Sequence, residues 1–165
     1  MTTFTGHELC ALSAVDAVDA LKKGEVSPIE MLEASLERIA EVEPDINALP
    51  IVMADRARAH VSRLKQGDEA PWLAGLPITI KDLNPIKGVR TTWGTKGYAD
   101  HIAAVTDPLV DRLENRGGVV VAKSNTPEMG AGGNTFNEVF GATKNPWNTA
   151  LNPGGSSGGA AASLA

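Results

Sequence analysis

Apolar residues recur along the chain at spacings that predict helices alternating with strands. From Glu8 to Lys22 the apolar positions fall on one helical face, and Gly24 predicts the end of that helix. Ser27-Pro28-Ile29-Glu30 predicts a second helix start, because serine and glutamate at this spacing form a capping box and proline suits the first helical position. Pro44 is expected to end this second helix.

Short apolar runs between glycines predict the strands. Leu76–Lys81 follows Gly75 and reads as one strand, and Asn47–Met53 could form another. The run Val119–Ala122 is apolar at all four positions, which is typical of a strand buried on both faces. Helices alternating with such strands favour an α/β domain with a largely parallel sheet.

Two further helices are expected between these strands. Asp55 is placed to cap a helix that ends before Gly67. Thr106 is placed to cap another, whose apolar positions Leu109, Val110 and Leu113 would face inward.

Composition narrows the class of protein. The 165 residues suit one domain of ordinary size, and 42% hydrophobic with 21% charged residues is typical of a globular protein. No apolar run approaches the roughly 20 residues of a transmembrane helix. The first ten residues lack the basic and apolar stretches of a secretory signal. We therefore expect no membrane association.

Charge and cysteine content exclude two more classes. The net charge of −5 comes without a basic patch, which argues against direct nucleic-acid binding. The single cysteine, Cys10, excludes an internal disulfide framework and suits a reducing cytoplasm, where we expect the protein to reside. Three scattered histidines form no metal-binding pair, so no metal site is expected.

Lys81 is the first candidate for chemistry, because it ends an apolar strand where the strand meets a loop. Burial there would disfavour the charged amine and lower its pKa, which turns a lysine into a usable general base. The competing interpretation is that Lys81 stays charged, pairs with Asp82 or another carboxylate, and merely closes the strand.

The second candidate is a glycine- and serine-rich loop, Gly154–Gly159, that runs into an alanine-rich helix start. A phosphate cradle, a hydrolase serine loop and a plain turn all compete here. The spacing fits neither G-x-x-x-x-G-K-[ST] nor G-x-G-x-x-G, and it departs from G-x-S-x-G. What remains is a device in which a lysine acts on a serine. Lys81 and Ser156 lie far apart in sequence, so only the fold could bring them together.

Five motifs follow one another in a fixed order from Gly75 onward. They are Gly75–Asp82, Gly88–Thr95, Asp107–Leu113, Ala122–Glu128 and Phe140–Asn148, the last leading into Pro153–Gly159. Together they resemble the amidase signature family of serine amidohydrolases, and weaker similarity extends back to about Ser27. Five motifs in order are far more specific than any one of them.

The resemblance implies an α/β fold in which helices cover both faces of a large mixed β-sheet. Residues 1–165 would form an incomplete N-terminal part of one such domain. We expect a helical region over about residues 1–66 and a sheet-containing part over about residues 67–165. The family's nucleophilic serine lies in a second Gly-Gly-Ser motif roughly two dozen residues further on. The 165 residues would then lack it and be inactive alone.

The resemblance also implies a chemistry and its residues. The family cleaves amide carbon–nitrogen bonds through an acyl-enzyme, with a Ser-cisSer-Lys triad. Lys81 matches the catalytic lysine, and Ser156 matches the middle serine on its unusual cis peptide. Ser157 would support the loop or cap the following helix, and Gly130 would line the acyl site or serve as a flexible turn. The resemblance implies no cofactor. The expected partner is a small-molecule amide, and a homodimer is compatible with the family.

Two other interpretations stay open. The amidase component of a tRNA-dependent amidotransferase shares every motif named above. Pro127-Glu128-Met129 and Ala160-Ala161-Ala162 favour the general amidase branch over it. The other interpretation is a non-catalytic binding or scaffold fragment, which would have to fold stably on its own.

Overall fold

The computed structural model describes residues 5–65 and 67–165. Over these ranges helices and strands alternate along the chain, which confirms the expected α/β class. The α-helices are α1 (Ala14–Lys23), α2 (Pro28–Ile46), α3 (Ala54–Val61), α4 (Pro108–Asn115) and α5 (Gly158–Ser163). The strands are β1 (Ile51–Val52), β2 (Pro77–Lys81), β3 (Val119–Ser124), β4 (Phe136–Asn137) and β5 (Gly141–Ala142).

The capping box before α2 forms as predicted. The Ser27 backbone N–H donates to the Glu30 carboxylate at 2.8 Å, and the Glu30 N–H donates to the Ser27 hydroxyl at 3.3 Å. The prediction that Pro44 ends this helix is wrong, because α2 continues to Ile46. Proline removes only its own N–H, and the following turn still closes through a 2.9 Å hydrogen bond from Asn47 to the Glu43 carbonyl.

The first predicted helix is divided in two. A short 3₁₀ helix covers Glu8–Ala11, and α1 starts only after Ser13. The reason is local: the Ser13 hydroxyl accepts a hydrogen bond from the Asp16 N–H at 3.2 Å and so caps a new helix. The predicted end at Gly24 is confirmed, since this residue takes a left-handed φ of 70°.

Two predicted helix caps are also wrong. Met53 occupies the cap position of α3 and makes no side-chain capping bond, while Asp55 lies inside the first turn. At α4 it is Asp107 that accepts from the Leu109 N–H, at 2.8 Å. The Thr106 hydroxyl accepts instead from the Lys87 N–H at 3.0 Å, which takes it away from the helix end.

The inward face of α4 is narrower than predicted. Val110 is fully buried, whereas Leu109 keeps 53% of its surface exposed. Adjacent residues lie about 100° apart around a helix, so only one of these two can point directly inward.

The main sheet has three strands in the order β1-β3-β2. Strand β1 is antiparallel to β3. Strands β2 and β3 run in the same direction, as two hydrogen bonds at their opposite ends indicate: Val119 N–H to the Leu76 carbonyl, and Asp82 N–H to the Ser124 carbonyl. The sheet is therefore mixed, and the expectation of a largely parallel sheet is wrong for β1. An antiparallel edge strand is common in α/β folds.

Strand β3 is buried along its whole length, as its apolar run predicted. The burial extends two residues past the apolar run to Lys123 and Ser124. A short antiparallel pair, β4 and β5, forms a separate two-stranded sheet.

The chain forms two compact units, each built from separate chain segments. The first comprises the chain up to Glu41, Met53–Ile78 and Arg112–Val121. The second comprises Val42–Val52, Thr79–Asp111 and Ala122–Ala165. The predicted place of residues 1–165 within one larger domain stays a prediction.

The interiors of the two units differ in chemistry. The first has a core cluster formed by Ala17, Leu21, Met31 and Ala74. The second contains the buried polar residues of the described chain: Asp82, Thr91, Thr92, Lys123, Ser124, Asn125, Thr126, Thr135, Asn137 and Thr143. Burying such groups costs free energy unless they are hydrogen-bonded or paired, and the Ser124 hydroxyl has no partner among the described residues. Across the described ranges, no helix is long and apolar enough to cross a bilayer.

Candidate active site

Lys81 lies at the end of β2 and reaches the glycine- and serine-rich loop. Its Nζ lies 2.9 Å from the Ser156 hydroxyl oxygen and 3.0 Å from that of Ser157. Lys81 is half-buried, and the residue before it, Ile80, is buried. The fold thus brings together the two residues that sequence reasoning paired but could not connect.

The loop approaches other backbone so closely at Gly155 that glycine is required there. A Cβ on Gly155 would lie 2.7 Å from the Gly132 carbonyl oxygen and 2.9 Å from the Asn134 nitrogen. Real Cβ atoms do not come this near to backbone atoms, so a side chain here would displace the loop. The peptide bond between Gly155 and Ser156 is cis. The hydroxyl of Thr126 also donates to the Ser156 carbonyl, at 3.4 Å.

The surroundings of Lys81 shift its amine towards the neutral form. Burial lowers the pKa of the amine below its usual value of 10.5. Within the described ranges no carboxylate lies at ion-pair distance from its Nζ to counteract this. A neutral amine against a serine hydroxyl can accept the hydroxyl proton, which is the arrangement a general base needs.

Asp82 does not pair with Lys81, although the two are adjacent in sequence. Its carboxylate forms an ion pair with Lys123 Nζ at 2.6 Å, and both side chains are buried. It also accepts from the Thr92 N–H at 3.1 Å and from the Thr92 hydroxyl at 2.6 Å. Successive side chains of a strand point to opposite faces, which separates these two neighbours. The competing interpretation of Lys81 as one half of an ion pair with Asp82 is therefore not what the fold forms.

Sequence reasoning missed the structural role of Lys123, which lies in β3. Besides its ion pair with Asp82, its Nζ donates to the Thr91 hydroxyl at 2.6 Å. Burial lowers its pKa, and the charge and hydrogen bond of Asp82 oppose that effect. No local pattern relates positions 82 and 123. The only available signal was a lysine at the end of an otherwise apolar strand.

Ser157 had two competing roles, and the structure separates them. It occupies the position before α5 but makes no side-chain capping bond. Its hydroxyl instead contacts Lys81. The helix-cap interpretation is therefore wrong, and the contact with Lys81 is compatible with support of the loop.

The backbone N–H of Gly130 does not bond to Lys81, Ser156 or Ser157. It takes a left-handed φ of 71°, and its N–H donates to the Pro127 carbonyl at 2.9 Å. A Cβ at this position would lie 2.6 Å from the Leu83 side chain. The left-handed φ favours glycine at this position, and the role of Gly130 in substrate binding stays a prediction.

Comparison with known proteins identifies the family to which the chain belongs. The sequence model described as Amidase matches residues 30–165, which is most of the chain. The chain belongs to the amidase family. The match covers all of the motifs on which the resemblance to amidase signature enzymes was based.

Among relatives of this amidase chain are enzymes of two kinds. It is 42% identical to the acylamidase of Rhodococcus erythropolis, over 98% of this chain and 35% of the relative. It is 45% identical to one component of the glutamyl-tRNA(Gln) amidotransferase of Synechococcus sp. (strain CC9605), over 88% of this chain and 30% of the relative. The amidase chain thus spans about a third of the length of these curated relatives.

Solved structures agree on the fold. The chain superimposes on a bacterial aryl acylamidase of the amidase signature family with a TM-score of 0.83 and 32% sequence identity. The match covers 92% of this chain and 32% of that structure. The α/β architecture around Lys81 is therefore that of amidase signature enzymes.

Proposed function

We propose that this chain is part of an amidase that hydrolyses a carbon–nitrogen amide bond through a serine acyl-enzyme. The observation that carries the proposal is the contact between Lys81 Nζ and the Ser156 hydroxyl at 2.9 Å, at an amine whose pKa burial lowers. Hydrolases among the relatives and structural neighbours support the reaction class. The substrate is a small-molecule amide in this proposal.

Lys81 acts as the base and Ser156 as the relay. The neutral amine of Lys81 takes the Ser156 hydroxyl proton while Ser156 takes the proton of the attacking serine. The serine oxygen then bonds to the amide carbonyl carbon, and a tetrahedral oxyanion forms. When it collapses, the carbon–nitrogen bond breaks, and the proton returns through Ser156 to the leaving nitrogen. Water repeats the sequence to release the acid from the acyl-enzyme.

The attacking serine of this proposal belongs to the second Gly-Gly-Ser motif that the resemblance implies, downstream of Ala165. Ser157 gives the Lys81 amine a second hydroxyl partner at 3.0 Å, which limits its rotation. Gly130 would line the acyl side of the substrate. The 165 residues alone would be inactive because the nucleophile is supplied by the longer protein.

The test uses the complete reading frame that contains this chain. Lys81→Ala should lower kcat/KM for amide hydrolysis at least about 10³-fold, because it removes the base that contacts Ser156. Lys65→Ala is the matched control, since Lys65 is exposed and pairs with Glu69 instead. Activity should be followed across pH, and the wild-type acid limb should lie below 10.5. Wild-type activity in Lys81→Ala would overturn the mechanism.

A second candidate is the amidase component of a tRNA-dependent amidotransferase. The 45% identity to such a component is similar to the 42% identity to the acylamidase, so identity does not separate the two candidates. This candidate requires tight association with a partner protein, together with glutamine hydrolysis coupled to amide transfer. Purification from the native host followed by glutaminase and acylamidase assays separates the two. Glutamine turnover only in a complex would favour the amidotransferase.

A further inference from the structure

One buried hydroxyl joins the two ends of the serine loop. Thr135 is fully buried, and its Oγ1 donates to the Gly154 carbonyl at 2.8 Å. The same oxygen accepts from the Gly158 N–H at 2.9 Å. Only Gly155, Ser156 and Ser157 lie between these two anchored residues.

Asn152 ties Thr135 to the loop a second time. Its side-chain oxygen accepts from the Gly154 N–H at 2.8 Å and from the Thr135 N–H at 3.3 Å. Its side-chain nitrogen donates to the Thr135 carbonyl at 3.2 Å. Backbone and side chain of Thr135 are thus both fixed relative to Gly154.

The contact leaves no room for adjustment. A Cβ on Gly158 would overlap the Thr135 Oγ1, so the loop backbone lies directly against the hydroxyl. Three residues held at both ends have little freedom, which fixes where the Ser156 hydroxyl meets Lys81. A displacement of about 1 Å at such a contact can cost about 10²-fold in rate.

We propose that Thr135 is a positioning residue that holds Ser156 against Lys81 by clamping Gly154 and Gly158. The proposal rests on the function proposed above, because its consequence is catalytic. Thr135 touches neither Lys81 nor the serine hydroxyls in this clamp and acts through the loop backbone.

The test compares two substitutions of Thr135 in the complete enzyme. Thr135→Val keeps the shape and removes the hydroxyl, whereas Thr135→Ser keeps the hydroxyl. We expect Thr135→Val to lower kcat about 10²-fold with little change in KM. Its acid limb should move to higher pH, because a displaced loop leaves the Lys81 amine better solvated. Thr135→Ser should stay within about three-fold of wild type.

Thr143→Val is the matched control for loss of a buried threonine hydroxyl. Thr143 is equally buried, but its hydroxyl bonds Asn47 and Asn125 and its links to Thr135 and Asn152 are through its backbone, so the variant should lose stability and keep its kcat and pH profile. A folded Thr135→Val enzyme with wild-type kcat and pH profile would overturn the proposal. Equal losses in the Val and Ser variants would also overturn it, since they would point to the methyl group.

Two further results keep the test decisive. If Thr135→Val does not fold, Asn152→Ala takes its place and should lower kcat about ten-fold with the same shift of the acid limb. An unchanged kcat there would contradict the clamp. If Lys81→Ala retains activity, it is the proposed function that fails. If Lys81→Ala is inactive and Thr135→Val is normal, only the clamp fails.

Discussion

Two lysines of the second unit lie on neighbouring strands and differ in the groups that surround their amines. Lys81, at the end of β2, contacts two serine hydroxyls. Lys123, in β3, is fully buried and contacts the carboxylate of Asp82 at 2.6 Å. Burial lowers the pKa of both, but Lys123 has an adjacent anion that favours its charged form. The partner, more than the depth of burial, separates a candidate base from a structural cation.

The largest effect should come from breaking the buried pair. Lys123→Met leaves the Asp82 carboxylate buried without its cation, which should lower the free energy of unfolding by about 3–5 kcal/mol. Lys81→Met should change the free energy of unfolding by no more than about 1 kcal/mol, since this substitution leaves no buried charge without a partner. Chemical denaturation of the complete protein at neutral pH measures both.

A double variant sharpens this comparison. Asp82→Asn combined with Lys123→Met removes both charges and should recover most of the stability lost in the single variant. If Lys123→Met alone proves as stable as Lys81→Met, the contrast between the two lysines does not hold.

The next effect concerns a partly buried carboxylate of the first unit, Glu114. Two nitrogens of Arg56 donate hydrogen bonds to this carboxylate, and His60 Nδ1 lies 3.5 Å from it. Burial alone would raise the pKa of Glu114, but hydrogen bonds from Arg56 and His60 lower it to about 2. A lowered pKa contributes stability above the unfolded value of 4.5 and loses it as pH falls towards 2. The loss should be about 2–3 kcal/mol after allowance for partial exposure.

Denaturation at several pH values between 4.5 and 2 measures this loss, with Glu114→Gln as the comparison. The substituted protein should be less stable at about pH 5 and should lose less on acidification. Parallel acid curves for the two proteins would mean that the pair contributes nothing to the pH dependence.

The smallest effect concerns the second hydroxyl on Lys81. Ser157→Ala should lower kcat/KM about two- to ten-fold, the range expected for one hydrogen bond. It should not weaken α5, because Ser157 makes no capping bond. Ser163→Ala is the control within the same helix, since its hydroxyl bonds the Ala160 carbonyl. A stability loss of about 1 kcal/mol in Ser157→Ala would restore the cap interpretation.

Local signals explain what the sequence could predict of the fold. The capping box at Ser27 and Glu30 involves residues three apart, and the apolar run in β3 is contiguous. Both are predictable because nothing outside the segment decides them. The start of α1 was missed because Ser13 interrupts an apolar pattern that continues through it. Competing caps, as at Asp107, differ by a single hydrogen bond that sequence does not reveal.

The site was predictable only in part. The resemblance pointed to Lys81, Ser156 and Ser157, and the structure places all three together. The residues around them were missed because their partners are distant in sequence. Lys123 meets Asp82 only in the folded sheet, and Thr135 lies in a polar stretch without periodicity. Buried polar networks of this kind leave no repeating pattern to detect.

The wide sequence separation of contacts in the second unit has a consequence during synthesis. Lys81 and Ser156 are 75 residues apart, and the contacts of Asn47 with Phe140 and Thr143 span 93 and 96 residues. A ribosome adding roughly 5–20 residues per second needs about 4–15 s to move from the lysine to its serine. Throughout that interval the lysine strand has been synthesised but its partner loop has not. The contact between Lys81 and Ser156 must therefore form after the serine loop has been translated.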